Sequence, residues 1–136
     1  MPKCVDPFLL QDWLSGPNPL LELPADTDPG PVLDALCAQR FAPLRVDLAD
    51  VSDKAGLLHV LHRALDLGDW FGFNWDALED ALYGPEDRSA PVRVLVVTGF
   101  TAFRARAPGD ADVVIDIVRT VAENPDSGLR GCVLIG

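Results

Sequence analysis

Val92-Arg93-Val94-Leu95-Val96-Val97-Thr98 is an almost unbroken apolar run rich in β-branched side chains. A strand with one face in water alternates apolar and polar residues. A run with so little alternation reads as a strand buried on both faces, as in the interior of a parallel sheet. Parallel neighbours cannot be joined by a hairpin, so the rest of the chain must supply crossovers of a dozen or more residues.

The flanking sequence has that form. Residues 44–48 alternate (Leu44, Val46 and Leu48 against Arg45 and Asp47) and read as a strand. Ser52 is the expected N-cap of a helix reaching about residue 65. On it Leu57, Leu58, Val60, Leu61, Ala64 and Leu65 share one side, and His59, His62 and Arg63 the other. Asn74 is the expected cap of a second helix that runs to Tyr83 and stops at Gly84-Pro85. Residues 100–105 read as a short helical turn, residues 111–123 as a helix and residues 129–135 as a last strand. The expected fold is α/β: a small three-stranded parallel sheet, covered mainly on one face by a layer of helices, with right-handed crossovers.

Residues 1–43 are different. They hold eight of the 12 prolines, with apolar pieces at residues 8–14 and 20–23 between Pro and Gly breakers, and a short helix at residues 32–39 led in by Pro31. They are expected to be an irregular N-terminal extension packed on the core, leaving residues 44–136 as the main domain.

Composition narrows the function. The 11 Lys and Arg face 21 Asp and Glu, a formal net charge of −10. Nucleic-acid binders gather a basic face, so nucleic acid is excluded as the expected ligand and a basic partner is favoured. The three cysteines, Cys4, Cys37 and Cys132, match no zinc pattern and form no CxxC. Cys37 and Cys132 lie in apolar stretches and are expected to be buried thiols in a reducing compartment. No signal peptide and no run approaching 18 apolar residues is present, so a cytoplasmic protein without a membrane partner is expected.

The segment from Asp66 to Asp87 concentrates the acidity. Asp66, Asp69, Asp76, Glu79, Asp80, Glu86 and Asp87 lie in it with no Lys or Arg. At helical spacing Asp76, Glu79, Asp80 and Tyr83 fall within one arc of about 100°, with Trp75, Ala77, Leu78, Ala81 and Leu82 in the remainder. Like charges three and four residues apart repel by roughly 0.2–0.5 kcal/mol per pair. Asp76 recovers some of this at the helix N-terminus, whereas Asp80 lies too far in. Stability alone would have placed a lysine near position 80. Trp70, Phe71 and Phe73 precede the helix, flanked by Gly68 and Gly72. At least one of these aromatics must fill the core. The others, beside uncompensated charge, suit a contact surface.

The stretch Trp70-Phe71-Gly72-Phe73-Asn74-Trp75-Asp76-Ala77-Leu78-Glu79-Asp80-Ala81-Leu82-Tyr83-Gly84 resembles the signature of the barstar family, in the pattern aromatic-aromatic-Gly-x-Asn-x-Asp-Ala-Leu-x-Asp-x-Leu-x-Gly. The resemblance implies an intracellular inhibitor of a small extracellular ribonuclease, monomeric when free, that uses no cofactor and no metal. It places the main anchor carboxylate on Asp80 and a second on Asp76. The aromatic that packs against the nuclease active site falls on Trp70, with Gly72, Asn74, Glu79, Tyr83 and Gly84 lining the same surface. In that scheme the carboxylates occupy pockets built for phosphate. Two positions depart from the family. Thr120 stands where the last helix carries an acidic residue, and Glu79 where an aromatic can occur.

Other functions remain open at this level. The same fold could serve an immunity protein for a toxin nuclease, or a binder of a non-nuclease basic partner. An enzyme would have to use Asp76, Glu79 and Asp80 as magnesium ligands or as an acid/base pair. Three carboxylates on one short helical face converge poorly on an octahedral ion, and there is no Gly-rich phosphate loop or nucleophile elbow.

Overall fold

The computed structural model describes residues 7–68, 71–84, 91–124 and 126–136. The elements run α1 (Pro7–Ser15), β1 (Leu20–Leu23), α2 (Pro29–Ala38), β2 (Ala42–Asp47), α3 (Lys54–Ala64), α4 (Trp75–Tyr83), β3 (Arg93–Thr98), α5 (Phe100–Arg106), α6 (Pro108–Glu123) and β4 (Leu129–Ile135). The fold is α/β with a parallel sheet, but the sheet has four strands, in the order β1-β4-β3-β2. The fourth is the 20–23 piece expected to be irregular. Leu20 pairs with Cys132 and Leu23 with Ile135.

Both faces of the sheet are covered. On β3, Leu95 and Val97 join one apolar cluster with Leu57, Leu58 and Leu61 of α3, Leu78 and Leu82 of α4, Phe103 of α5 and Val118 of α6. Val94 and Val96 point the other way, onto Leu10 and Trp13 of α1 and Val32 and Leu36 of α2. The one-sided helical layer is thus corrected: the residues before β2 build the second layer. The four residues Val94–Val97 are all buried, which is what an unalternating run requires. The chain crosses from β1 to β2 with α2 on one face, then returns through β3 to β4 with α3–α6 on the opposite face. Reversing direction while changing face keeps a single hand for every crossover.

An irregularity in β4 ties the first helix to the sheet. Arg93 pairs with Leu129 and Val94 with Gly131, leaving Arg130 as an extra residue. The Arg130 guanidinium donates to the carbonyls of Trp13 (2.5 Å), Gly16 (2.8 Å) and Asn18 (2.9 Å) and lies 4.5 Å from the Trp13 ring centroid. Gly131, at φ +155°, lets β1 approach: a Cβ there would collide with the Pro19 carbonyl. Two local expectations shift. Asp53, not Ser52, caps α3, accepting from the Gly56 amide at 2.8 Å. Cys132 is buried but Cys37 is exposed, because Val32 and Leu36 take the inward face of α2 and Cys37 lies about 100° away from Leu36.

Candidate partner-binding face

The face is built by the turn after α3 and by α4. Trp70, expected at its edge, lies outside the described residues, as do Asp69, Glu86 and Asp87. Phe71 is buried against the α3 and α4 leucines, whereas Phe73 is 39% exposed. Phe73 sits at φ +51°, in the left-handed region that costs a non-glycine residue about 1–3 kcal/mol. Its ring centroid lies 4.6 Å from His59, 5.1 Å from His62 and 5.0 Å from Phe71. His59 is exposed and His62 half-buried, on the solvent side of α3 as expected, and both rings also pack against Phe73.

Asn74 follows as the N-cap of α4. Its side-chain oxygen accepts from the Ala77 amide at 2.8 Å, and its amide nitrogen donates to the Gly72 carbonyl at 3.3 Å. Gly72 and Asn74 are both exposed, and together they fix the direction in which the helix leaves the loop. Asp76 and Asp80 are exposed and Glu79 is half-buried. Among the described residues no cation or hydrogen-bond donor pairs with any of these three carboxylates. Lys54 touches α4 through Trp75, its ammonium lying 5.1 Å from that ring's centroid. Trp75 is half-buried on the core. So is Tyr83, which the helical arc had placed among exposed residues.

The far end of α4 is fastened by a residue the sequence reading passed over. Arg93, the charged member of the Val-rich run, donates to the Ala81 and Leu82 carbonyls at 3.3 and 2.5 Å. Burial lowers the pKa of its guanidinium below the ordinary value, though an arginine so placed stays charged. A cation at a helix C-terminus satisfies orphan carbonyls and opposes the dipole. Gly84, at φ +85°, completes the junction; a Cβ there would stand 2.7 Å from an Arg93 nitrogen. The Gly128 amide donates to the Tyr83 carbonyl and the Arg93 amide to the Gly128 carbonyl, at 3.0 and 2.8 Å. The loop after α6 thereby docks on the end of α4. On α6, Thr120 is exposed and its hydroxyl donates back to the Asp116 carbonyl at 2.9 Å. Arg93 could have been noticed in the sequence as the lone charge in a doubly buried strand.

The arrangement is a rigid helix, held at both ends, that presents unpaired carboxylates. The best-enclosed cavity among those found, of about 20 Å³, is apolar and lies inside the core between Val46, Leu61, Leu95, Val118 and Cys132. Among the described residues no three His, Cys, Asp or Glu side chains gather to hold a metal ion. No helix of the described residues is long and apolar enough to cross a membrane.

Comparison with known families decides what kind of α/β protein this is. The family model described as Barstar (barnase inhibitor) matches residues 41–133, more than half of the chain. The chain belongs to the barstar family. The barstar match begins one residue before β2 and ends within β4, so it contains the whole of α4 and the loop before it. The helices and strand before residue 39 lie outside the barstar match. No individual curated protein matches the chain.

Proposed function

We propose that this protein is an inhibitor of a small extracellular-type ribonuclease, which it blocks by laying α4 and the preceding aromatic loop over the enzyme's basic active site. The observation that carries this reading is the pairing of barstar-family membership with an acidic helix whose Asp76, Glu79 and Asp80 have no partner among the described residues. A ribonuclease gathers cations to hold phosphate and to stabilise transition-state charge. Carboxylates on a prepositioned helix fill those pockets with little loss of conformational freedom. The proposed contact residues are Trp70, Gly72, Asn74, Asp76, Glu79, Asp80, Tyr83 and Gly84, with Asp80 as anchor. In this reading the protein is cytoplasmic, monomeric until bound, needs no cofactor and catalyses nothing.

A second reading keeps the face and changes the partner, making the chain an immunity protein for a toxin nuclease or a binder of another basic protein. Thr120 favours it, since it removes an acidic contact that the family resemblance places on α6. One titration separates the two. The protein is added to a panel of small secreted guanyl-preferring ribonucleases, with the Asp76→Ala/Asp80→Ala double variant as control. Stoichiometric inhibition that disappears in the variant is the expected result. Inhibition of none of them would overturn the first reading in favour of the second.

A further inference from the structure

The residue that opens the acidic helix is an exposed aromatic in a costly conformation. Phe73 immediately precedes the Asn74 cap and lies within one turn of Asp76. Its left-handed backbone is a place for Gly or Asn, which enter that region at little cost, yet a phenylalanine occupies it with 39% of its surface open. The ring does not hang free. His59 and His62 of α3 and the edge of buried Phe71 support it at centroid distances of 4.6, 5.1 and 5.0 Å. It is thus an apolar plate that rests on three other rings and keeps part of its surface open.

We propose that Phe73 is a stacking platform for an arginine of the basic partner, whose guanidinium lies on the ring while donating to the Asp76 carboxylate. The inference rests on the ribonuclease-inhibitor reading and extends that face beyond α4. The chemistry selects this occupant. A chain of net charge −10, with unpaired carboxylates on the helix capped by Asn74, the residue after Phe73, draws a cationic surface. Of the two long cations, only arginine offers a planar, weakly hydrated head that stacks on an aromatic face and forks onto a carboxylate at once. The same stacking recurs inside this chain: Arg104 lies 4.7 Å from the Phe100 centroid and Arg130 4.5 Å from that of Trp13. Retention of a strained residue at a binding face, where a glycine would fold more cheaply, is how functional strain is distributed in proteins.

The test compares Phe73→Gly, Phe73→Leu and Phe73→Trp with the wild type in inhibition constant, using the ribonuclease that the titration above identifies, and in thermal midpoint. Phe73→Gly removes the ring and relieves the backbone together. It is expected to unfold near the wild-type midpoint while inhibiting roughly tenfold more weakly. Phe73→Leu keeps an apolar side chain without a π face and is expected to be as weak as the glycine variant. Phe73→Trp is expected to inhibit at least as well as the wild type. A glycine variant that inhibits like the wild type overturns the inference. So does a fully active leucine variant, which would make the contact a plain apolar one. A wild type that inhibits no ribonuclease overturns the underlying reading and this inference with it; an inhibiting wild type with indifferent Phe73 variants overturns the inference alone.

Discussion

The guanidinium of Arg93 donates to the carbonyl of Leu82 at 2.5 Å, so an interior strand of the sheet grips the last turn of the acidic helix. Arg93 also reaches the Ala81 carbonyl and abuts Gly84. Hydrogen bonds from a charged donor each contribute about 1.5–3 kcal/mol. Replacing Arg93 with Met keeps the long stem and removes the donors. Arg93→Met should therefore lower stability by about 2–3 kcal/mol, measured by urea denaturation with an unchanged slope. An unaltered midpoint would show that the grip contributes nothing.

Asp80 and Glu79 are neighbours on α4 but differ in setting: Asp80 is exposed and Glu79 half-buried. If Asp80 is the anchor that a basic pocket receives, Asp80→Ala should weaken inhibition by about 2–5 kcal/mol. Glu79→Ala should cost less than about 1 kcal/mol, in the range of a rim contact. Inhibition constants of the two variants decide it, and equal losses would undo the assignment of the anchor.

The uncompensated charge on α4 should also act before contact. Association with the cognate ribonuclease is expected to slow by about tenfold or more between low and physiological ionic strength, with dissociation little changed, because salt screens steering over a Debye length of about 8–10 Å. Stopped-flow association rates at two salt concentrations test this. A rate that does not respond to salt would rule out steering.

The second face of the sheet should matter as much as the first. Leu36 of α2 is fully buried against Val94, Val96 and Val133. Leu36→Ala should cost about 2–5 kcal/mol, as much as a leucine in the α3–α6 layer. A loss under about 1 kcal/mol, typical of a surface site, would mean that the N-terminal helices add little to the fold.

Cys132 provides a pH signature. Burial pushes its thiol pKa upward from the ordinary 9.0. Below pH 9 both folded and unfolded chains keep the proton, and stability is complete. Above it the unfolded thiol ionises first, so stability falls as pH rises, by about 1.4 kcal/mol per unit. The wild type should thus lose about 1.4 kcal/mol more than Cys132→Val between pH 7 and pH 10, read from denaturation midpoints at each pH. Identical pH profiles for the two proteins would contradict a buried thiol.

Local patterns were enough to read β3, β4, α3, α4 and α6 in the sequence, because each carries its own period or cap. Asn74 and Gly84 bound α4 where expected, and Asp76 and Asp80 fall on its open side. The fourth strand was hidden for a physical reason. Leu20–Leu23 is four residues long between two prolines, and its partner strand begins more than a hundred residues away. Nothing local distinguishes it from a loop. The Val92–Thr98 run did hold the clue, since a strand buried on both faces needs a second apolar layer and only the N-terminal leucines could supply it. At the site, Phe71 and Phe73 look alike in sequence. A left-handed turn between Gly72 and Asn74 sends one inward and the other outward, and no periodicity reports such a turn.

The pairing of β1 with β4 also sets an order of events during synthesis. Leu20 leaves the ribosome long before Cys132, so β1 has no edge to join until the last strand of the sheet has emerged and docked on β3. Until then Leu21 and Leu23 lack the strand edge they pair with, whereas α2 already has Val94 and Val96 of β3 to pack on. Closing so long a loop is slow relative to local helix formation. Strands β2, β3 and β4 are joined by shorter connections, so on loop length β1 is the strand expected to join the sheet last.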